Sequence, residues 1–159
     1  MGGSERSALI DSHEYHLTVT GKGTKAGLLE APGDGLPPLE VASPPEFGGP
    51  EGIWSPEHLL VASVSACLMT TFRSIAEHSG VDVLEYTDTP TGRLARGDDG
   101  LYSIDRVTLR PKVTVPAGSR VDRALRIIEK AERVCLISRS VSCEVVLEAS
   151  VAEAHQVGT

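Results

Sequence analysis

At 159 residues the chain suits one domain, large enough to bury roughly two-thirds of the surface its unfolded form exposes, so no disulfide framework is needed. A formal charge of -7, with two Phe, three Tyr and one Trp, argues against a nucleic-acid surface, which needs basic patches and stacking aromatics. Three cysteines with no pair at zinc-finger spacing set a structural metal aside, and with no basic-then-apolar start and no apolar run near ~20 residues, a reduced, cytoplasmic setting without membrane contact is expected.

Residues 1–12 read as a loose polar start. His16, Thr18 and Thr20 then alternate with Leu17 and Val19 in the period of a strand, which Gly21, Gly23 and Gly27 punctuate. A short strand over Gly27 to Ala31 leads into Pro32 to Ile53, which holds six prolines and five glycines. Only the alternation of Leu39 and Val41 breaks that loop, and a loop this long inside a domain is usually functional or packed against a partner.

Ser55-Pro56-Glu57 has the chemistry of a helix start, with Ser as N-cap, Pro at the first position and an acid in the first turn. Gly80 is the stop. Between them Leu60, Val64, Cys67, Leu68, Thr71 and Ile75 recur at spacings of three and four, which predicts that Cys67 lies on the buried face. Ala62, Ser63, Ser65 and Ala66 are small and allow close approach, so a partner helix is expected.

Val81 to Ala95 and Leu101 to Val115 alternate as two long antiparallel strands joined by Gly97-Asp98-Asp99-Gly100. Ser119 is the predicted cap of a second helix, with Asp122 as an approximate capping box, and Val121, Leu125, Ile128 and Ala131 make a stripe that reaches Cys135. A last strand, Val141 to Val151, puts Val141, Cys143, Val145, Leu147, Ala149 and Val151 on one face. Residues 152–159 are a loose tail.

Buried cysteine often serves as a plain hydrophobe. Cys143, inside a regular alternation, fits that reading, whereas Cys67 and Cys135 leave both a core and a redox role open. His58 fits a solvated residue of the first helical turn and stays outside the candidate site.

The run Ser55-Pro56-Glu57 to Ala66-Cys67-Leu68 resembles the OsmC/Ohr family of thiol peroxidases, in which a Pro-Glu start precedes a small-residue helix ending in Ala-Cys, here with Glu and Cys at the same spacing of ten. Pro45-Glu46-Phe47-Gly48-Gly49-Pro50 is similar to that family's approach to the helix. Ala131 to Ser138 is similar to its second-cysteine segment, which usually reads Cys-Pro-x-Ser. The likeness runs from about Tyr15 to Val151.

The resemblance implies a single OsmC-like domain over residues 1–159, α+β in class, with curved antiparallel sheets around central helices and an intertwined homodimer. It implies a cofactor-free enzyme that reduces organic hydroperoxides, with hydrogen peroxide as a second substrate. Cys67 would be the peroxidatic thiol and Cys135 the resolving one, their disulfide being reduced by a dihydrolipoyl-type dithiol or a small thiol. Glu57 would support the site. Ten helical residues separate it from Cys67 by about 15 Å, so it would have to reach Cys67 of the other subunit, across a two-fold interface where the helices cross antiparallel.

Two positions depart from the pattern. The family's arginine from the early strand-turn region is missing, since no arginine stands between Arg6 and Arg73. Lys22 or Lys25 occupies that turn, and Lys25-Ala26-Gly27 is the closer match, although lysine lacks the planar donor fork. Leu136 stands where proline is usual. The missing arginine sustains a rival expectation, a non-enzymatic module of the same fold that binds a small molecule or senses redox state, with a purely structural dimerisation domain as a third.

Overall fold

The alternation after His16 becomes a strand at Thr18. In the computed structural model, which describes residues 10–21, 23 and 25–155, β1 (Thr18–Gly21) runs antiparallel to β2 (Ala26–Glu30), and β2 to β3 (Leu39–Ala42). Gly27 faces Gly21 in the register, and a Cβ on it would lie 2.9 Å from the Thr20 carbonyl oxygen, so only glycine fits there. These strands belong to the first of two compact units, residues 1–55, in which Val19 and Leu28 stay exposed. Pro32 to Ile53 is loop as expected, apart from β3 and a 3-10 turn at Pro45–Phe47. The expectations for residues 1–9, Lys22 and residues 156–159 fall outside the described residues.

The second unit, residues 56–159, opens with α1 (Pro56–His78). The helix stops where the sequence expects: Gly80 adopts φ 64, and its N–H and that of Val81 donate to Glu77 and Ala76 carbonyls at 3.0 and 2.9 Å. Val64, Leu68, Phe72 and Ala76 form its buried face. One expectation needs correcting here, because α1 is in fact long and apolar enough to pass for a membrane span, with a mean hydropathy of 1.6. A core helix passes that test too, and this face packs into the protein's own core.

Each of the two long strands expected next is broken in two. The first becomes β4 (Glu85–Thr87) and β5 (Thr91–Arg96), the second β6 (Tyr102–Leu109) and β7 (Lys112–Val115). The β5–β6 hairpin turns at Gly97–Gly100, where the Gly97 N–H donates to Leu101 O at 2.8 Å. Pro90 and Pro111 explain the breaks, since proline has no N–H to give a ladder. Asp88 spans them: its Oδ1 accepts the Arg110 N–H at 2.7 Å and its Oδ2 the Ser65 hydroxyl of α1 at 2.6 Å.

The second helix, α2, spans Val121–Val134, but Ser119 does not cap it. The cap position is Arg120, whose guanidinium has no acceptor for the first-turn N–H groups, and Asp122 pairs with Arg120 and Arg126 at 3.0 and 2.8 Å rather than turning back to the backbone. A lost cap costs about 1 kcal/mol. Burying a large aliphatic side chain contributes roughly 1.5–3 kcal/mol, so the buried stripe Ala124, Ile127, Ile128 and Ala131 dominates and α2 forms regardless.

The last strand also divides, into β8 (Glu144–Leu147) and β9 (Ser150–Glu153). The predicted face holds, Val141, Cys143, Val145, Leu147, Ala149 and Val151 all packing against the core. β8 runs parallel to β6, and β9 parallel to β7. The intervening α2 carries the chain back to its starting edge, as a parallel connection requires. Two three-stranded sheets, β4-β7-β9 and β5-β6-β8, result, with α1 and α2 packed on each other and on the strand residues Val107, Leu109, Val113 and Val115.

Asp88→Ala should lower the free energy of unfolding by roughly 2–4 kcal/mol in urea titration, because it orphans a backbone N–H and the Ser65 hydroxyl, and hydrogen bonds to a charged acceptor are worth about 1.5–3 kcal/mol each.

Candidate functional site

Cys67 sits at mid-length of α1, beside the buried stripe and itself half-buried. Cys135 is the residue at which α2 ends. Its φ of -59 and ψ of 120 break the helical path, its N–H still donates to Glu132 O at 3.1 Å, and the side chain is fully buried. Packing of α1 on α2 makes neighbours of the two thiols, both free, and each influences the other's ionisation.

Their surroundings push them in opposite directions. Burial raises the Cys67 pKa, but hydrogen bonds from the Cys135 thiol, the Ile137 N–H, the Thr71 hydroxyl and the Leu136 N–H outweigh it, so Cys67 lies below the usual thiol range. The Thr71 oxygen is 3.9 Å from the sulfur. For Cys135, burial and the bond to Cys67 act together and raise the thiol, against a weaker pull from Ser138. Proximity to a thiol of higher pKa makes Cys67 the better thiolate.

Tyr86, on β4, borders the pair. Its ring stacks on Phe72 at 5.8 Å, and its hydroxyl is buried without a hydrogen-bond partner among the described residues. Burial, then the charge of Asp88, then Cys135 push its pKa well above the ordinary phenol range, so it stays neutral.

Glu57 does not join this cluster within the chain, as its helical spacing from Cys67 led the sequence to expect. Glu57 is ten residues up the same helix from Cys67, about 15 Å away along the axis. One carboxylate oxygen, Oε2, is buried and has no hydrogen-bond partner among the described residues, and the residue lines a shallow, open pocket of about 470 Å³ with Leu60, Ile104, Ser140, Ser142 and Cys143. Lys25 precedes β2 in the first unit, where its ammonium donates to the Gly48 carbonyl at 3.0 Å.

Sequence reasoning missed three groups. Thr71 was legible, because it lies one helical turn beyond Cys67. The amides of Leu136 and Ile137 were not, since no side chain announces a backbone donor. Tyr86 carried no signal, because only the break after β4 brings it here. Among the described residues no group of three or more His, Cys, Asp or Glu could hold a metal ion.

Comparison with known proteins agrees with this architecture. The model of the OsmC-like protein family matches residues 49–150. The uncharacterized protein YmaD of Bacillus subtilis is 27% identical over 146 residues, 87% of this chain and 95% of that protein. The structure of an OsmC-like protein of unknown function from Vibrio cholerae superposes with a TM-score of 0.80 at 28% identity, over 87% of this chain and 99% of that one. The organic hydroperoxide resistance protein OsmC of Legionella pneumophila gives a TM-score of 0.68 at 26% identity, over 89% of this chain and 99% of that one. The α+β class with small sheets and two helices is shared with both.

Alkylation by iodoacetamide, followed peptide by peptide across pH, should label Cys67 first, with an inflection below that of a free cysteine. Cys135 should resist until higher pH or unfolding. The sign follows from the reactive form: a lowered pKa means Cys67 thiolate persists as pH falls below the ordinary thiol range, whereas a raised one withholds Cys135 thiolate until pH climbs above it.

Proposed function

The chain belongs to the OsmC-like protein family, a family that includes hydroperoxide resistance proteins, and from that premise we propose that it is a thiol-dependent peroxidase for organic hydroperoxides, with hydrogen peroxide as a lesser substrate. The observation that supports this most is the pairing of a thiol of lowered pKa, Cys67, with a buried neighbouring thiol of raised pKa, Cys135. A peroxidatic residue must be thiolate at rest, and a resolving one must stay protonated until it is needed.

In this reading the Cys67 thiolate attacks the distal peroxide oxygen. An S–O bond forms, the O–O bond breaks, and the alkoxide leaves as alcohol after taking a proton. Cys67 is then a sulfenic acid, and Cys135 attacks its sulfur, releases water and closes a disulfide. A dihydrolipoyl-type dithiol or a small thiol reduces that disulfide by exchange. No cofactor enters.

Glu57 and Lys25 are proposed as supporting groups. The distance along α1 favours Glu57 acting on Cys67 of a second subunit, in a homodimer whose α1 helices cross antiparallel. An unpartnered buried carboxylate oxygen on Glu57 fits a role completed by another chain. The setting proposed is cytoplasmic, where such a pair cycles through its reduced form.

One observation favours a second reading, a non-enzymatic module of the same fold that binds a small molecule or senses redox state. No arginine stands between Arg6 and Arg73 to hold a thiolate and an incoming peroxide together.

The test is turnover of cumene hydroperoxide and of hydrogen peroxide with dithiothreitol or dihydrolipoamide. Wild type should turn over, Cys67→Ser should fall to background, and Cys135→Ser, assayed without added thiol, should consume about one equivalent and stop. Equal inactivity of all three, with Cys67 still reduced under excess peroxide, would overturn the peroxidase in favour of the binding module. Full turnover by a monomer would overturn the role of Glu57 across an interface.

A further inference from the structure

Charge is unevenly spread along this acidic chain. Residues 120–139, which cover α2 and the turn after it, hold six of the 15 lysines and arginines but only three of the 22 acids. Four of those cations, Arg123, Arg126, Lys130 and Arg133, recur at spacings of three, four and three. At about 100° per residue they fall within about 80° of one another, in one stripe along the helix. All four are exposed, off the face that buries Ala124, Ile127, Ile128 and Ala131.

Helix stability does not account for the stripe. Cations suit the last turn, where Arg133 stands, but Arg120 and Arg123 lie at the first turn, the positive end of the helix dipole, where they are disfavoured. Pairing accounts for part of it, since Asp122 takes Arg120 and Arg126, and Arg123 donates to the Ser79 carbonyl. Lys130, Arg133 and Arg139 make no ion pair among the described residues. Apolar side chains surface at this same unpaired end: Val134 is 49% and Leu136 67% exposed, on either side of the buried Cys135. Apolar anchors inside a charged rim are the composition of a docking face. We propose that the C-terminal half of α2 and the turn after it dock an acidic face of the protein that supplies the reducing dithiol to the Cys67–Cys135 disulfide.

Local charge outweighs global charge at this place. The whole chain carries -7 and by itself would repel an acidic visitor. Exposed charges more than about 8–10 Å apart are largely screened at physiological salt, however, and the 14 residues of α2 span about 21 Å. A body at the C-terminal end therefore feels Lys130, Arg133 and Arg139, with Glu132 as the one acid among residues 130–139. Steering of this kind raises association rates by roughly ten- to a thousandfold. Once docked, a thiolate of the reductant attacks one sulfur of the disulfide, and the S–S bond breaks to free the other protein sulfur as a thiolate. The second thiolate of the reductant then cleaves the mixed disulfide. Two electrons pass to the protein, and the reductant leaves as a disulfide.

The inference rests on the peroxidase reading for its disulfide, and the test keeps the two apart. The probes are two synthetic peptides with the same Cys-Gly-Pro-Cys dithiol, one flanked by glutamates and the other by lysines. Each reduces the full-length protein, oxidised beforehand with peroxide or, where peroxide leaves the thiols reduced, with diamide. At low salt the glutamate peptide should be faster by roughly tenfold, against the order that a net charge of -7 dictates. The preference should vanish near 1 M salt, where the screening length falls to about 3 Å. Combining Lys130→Gln, Arg133→Gln and Arg139→Gln should abolish it at low salt too, while uncharged dithiothreitol reduces variant and wild type equally fast. A faster lysine peptide on wild type, or a preference that the glutamine variant keeps, would overturn the docking face. Binding to phosphatidylglycerol vesicles, or self-association, that only the variant loses would then name a membrane or a second copy as the occupant. A disulfide that diamide closes and peroxide does not, with the glutamate preference intact, keeps the docking face and loses only the peroxidase. If neither oxidant closes it, both fall.

Discussion

Packing of α1 on α2 is the constraint on which the rest depends. The thiols belong to different helices, and each helix is held by its own apolar stripe, Val64, Leu68, Phe72 and Ala76 on one and Ala124, Ile127, Ile128 and Ala131 on the other. At roughly 1.5–3 kcal/mol per large buried side chain, this burial far exceeds what a thiol–thiol hydrogen bond contributes. The core therefore places the sulfurs, and the sulfurs do not place the core. Their contact is a consequence of a geometry stabilised elsewhere, which is why a reduced pair can persist in a fold that does not need its disulfide.

Strand breaks around Asp88 serve the same geometry. A continuous hairpin from Val81 to Val115 would be one sheet on one side of α1. Pro90 and Pro111 interrupt both strands at the same level, β8 and β9 divide alongside them, and two short sheets result where one long sheet would otherwise run. Asp88 fastens that level to α1 through Ser65, two residues from Cys67, while its second oxygen satisfies the N–H of Arg110. Tyr86, just before the break, is carried to the thiols and stacks on Phe72.

Electrostatics at the pair is a contest between burial and hydrogen bonding, and it resolves differently for the two sulfurs. Both are desolvated, which disfavours a thiolate. For Cys67 the favourable polar neighbours outweigh burial, whereas for Cys135 burial and the neighbouring Cys67 act together and prevail. The asymmetry comes from the end of α2.

Much of this was legible in the sequence, because it rests on local chemistry. Helix α1 follows from Ser55-Pro56-Glu57 and Gly80, the β5–β6 hairpin from Gly97 to Gly100, and the core face of the last strands from the alternation of Val141 to Val151. The family followed from the Pro-Glu to Cys spacing and the second-cysteine segment. Tertiary structure decided the rest: the division of each long strand between two sheets, the parallel pairing of β8 and β9, the missing cap at Ser119, and the pKa order of the thiols. Periodicity reports which face of an element is apolar, and nothing about which element covers it. A strand's partner, a half-buried aspartate's two acceptor bonds and the neighbour of a thiol are set by residues far away in sequence, so they exist only once the chain has packed.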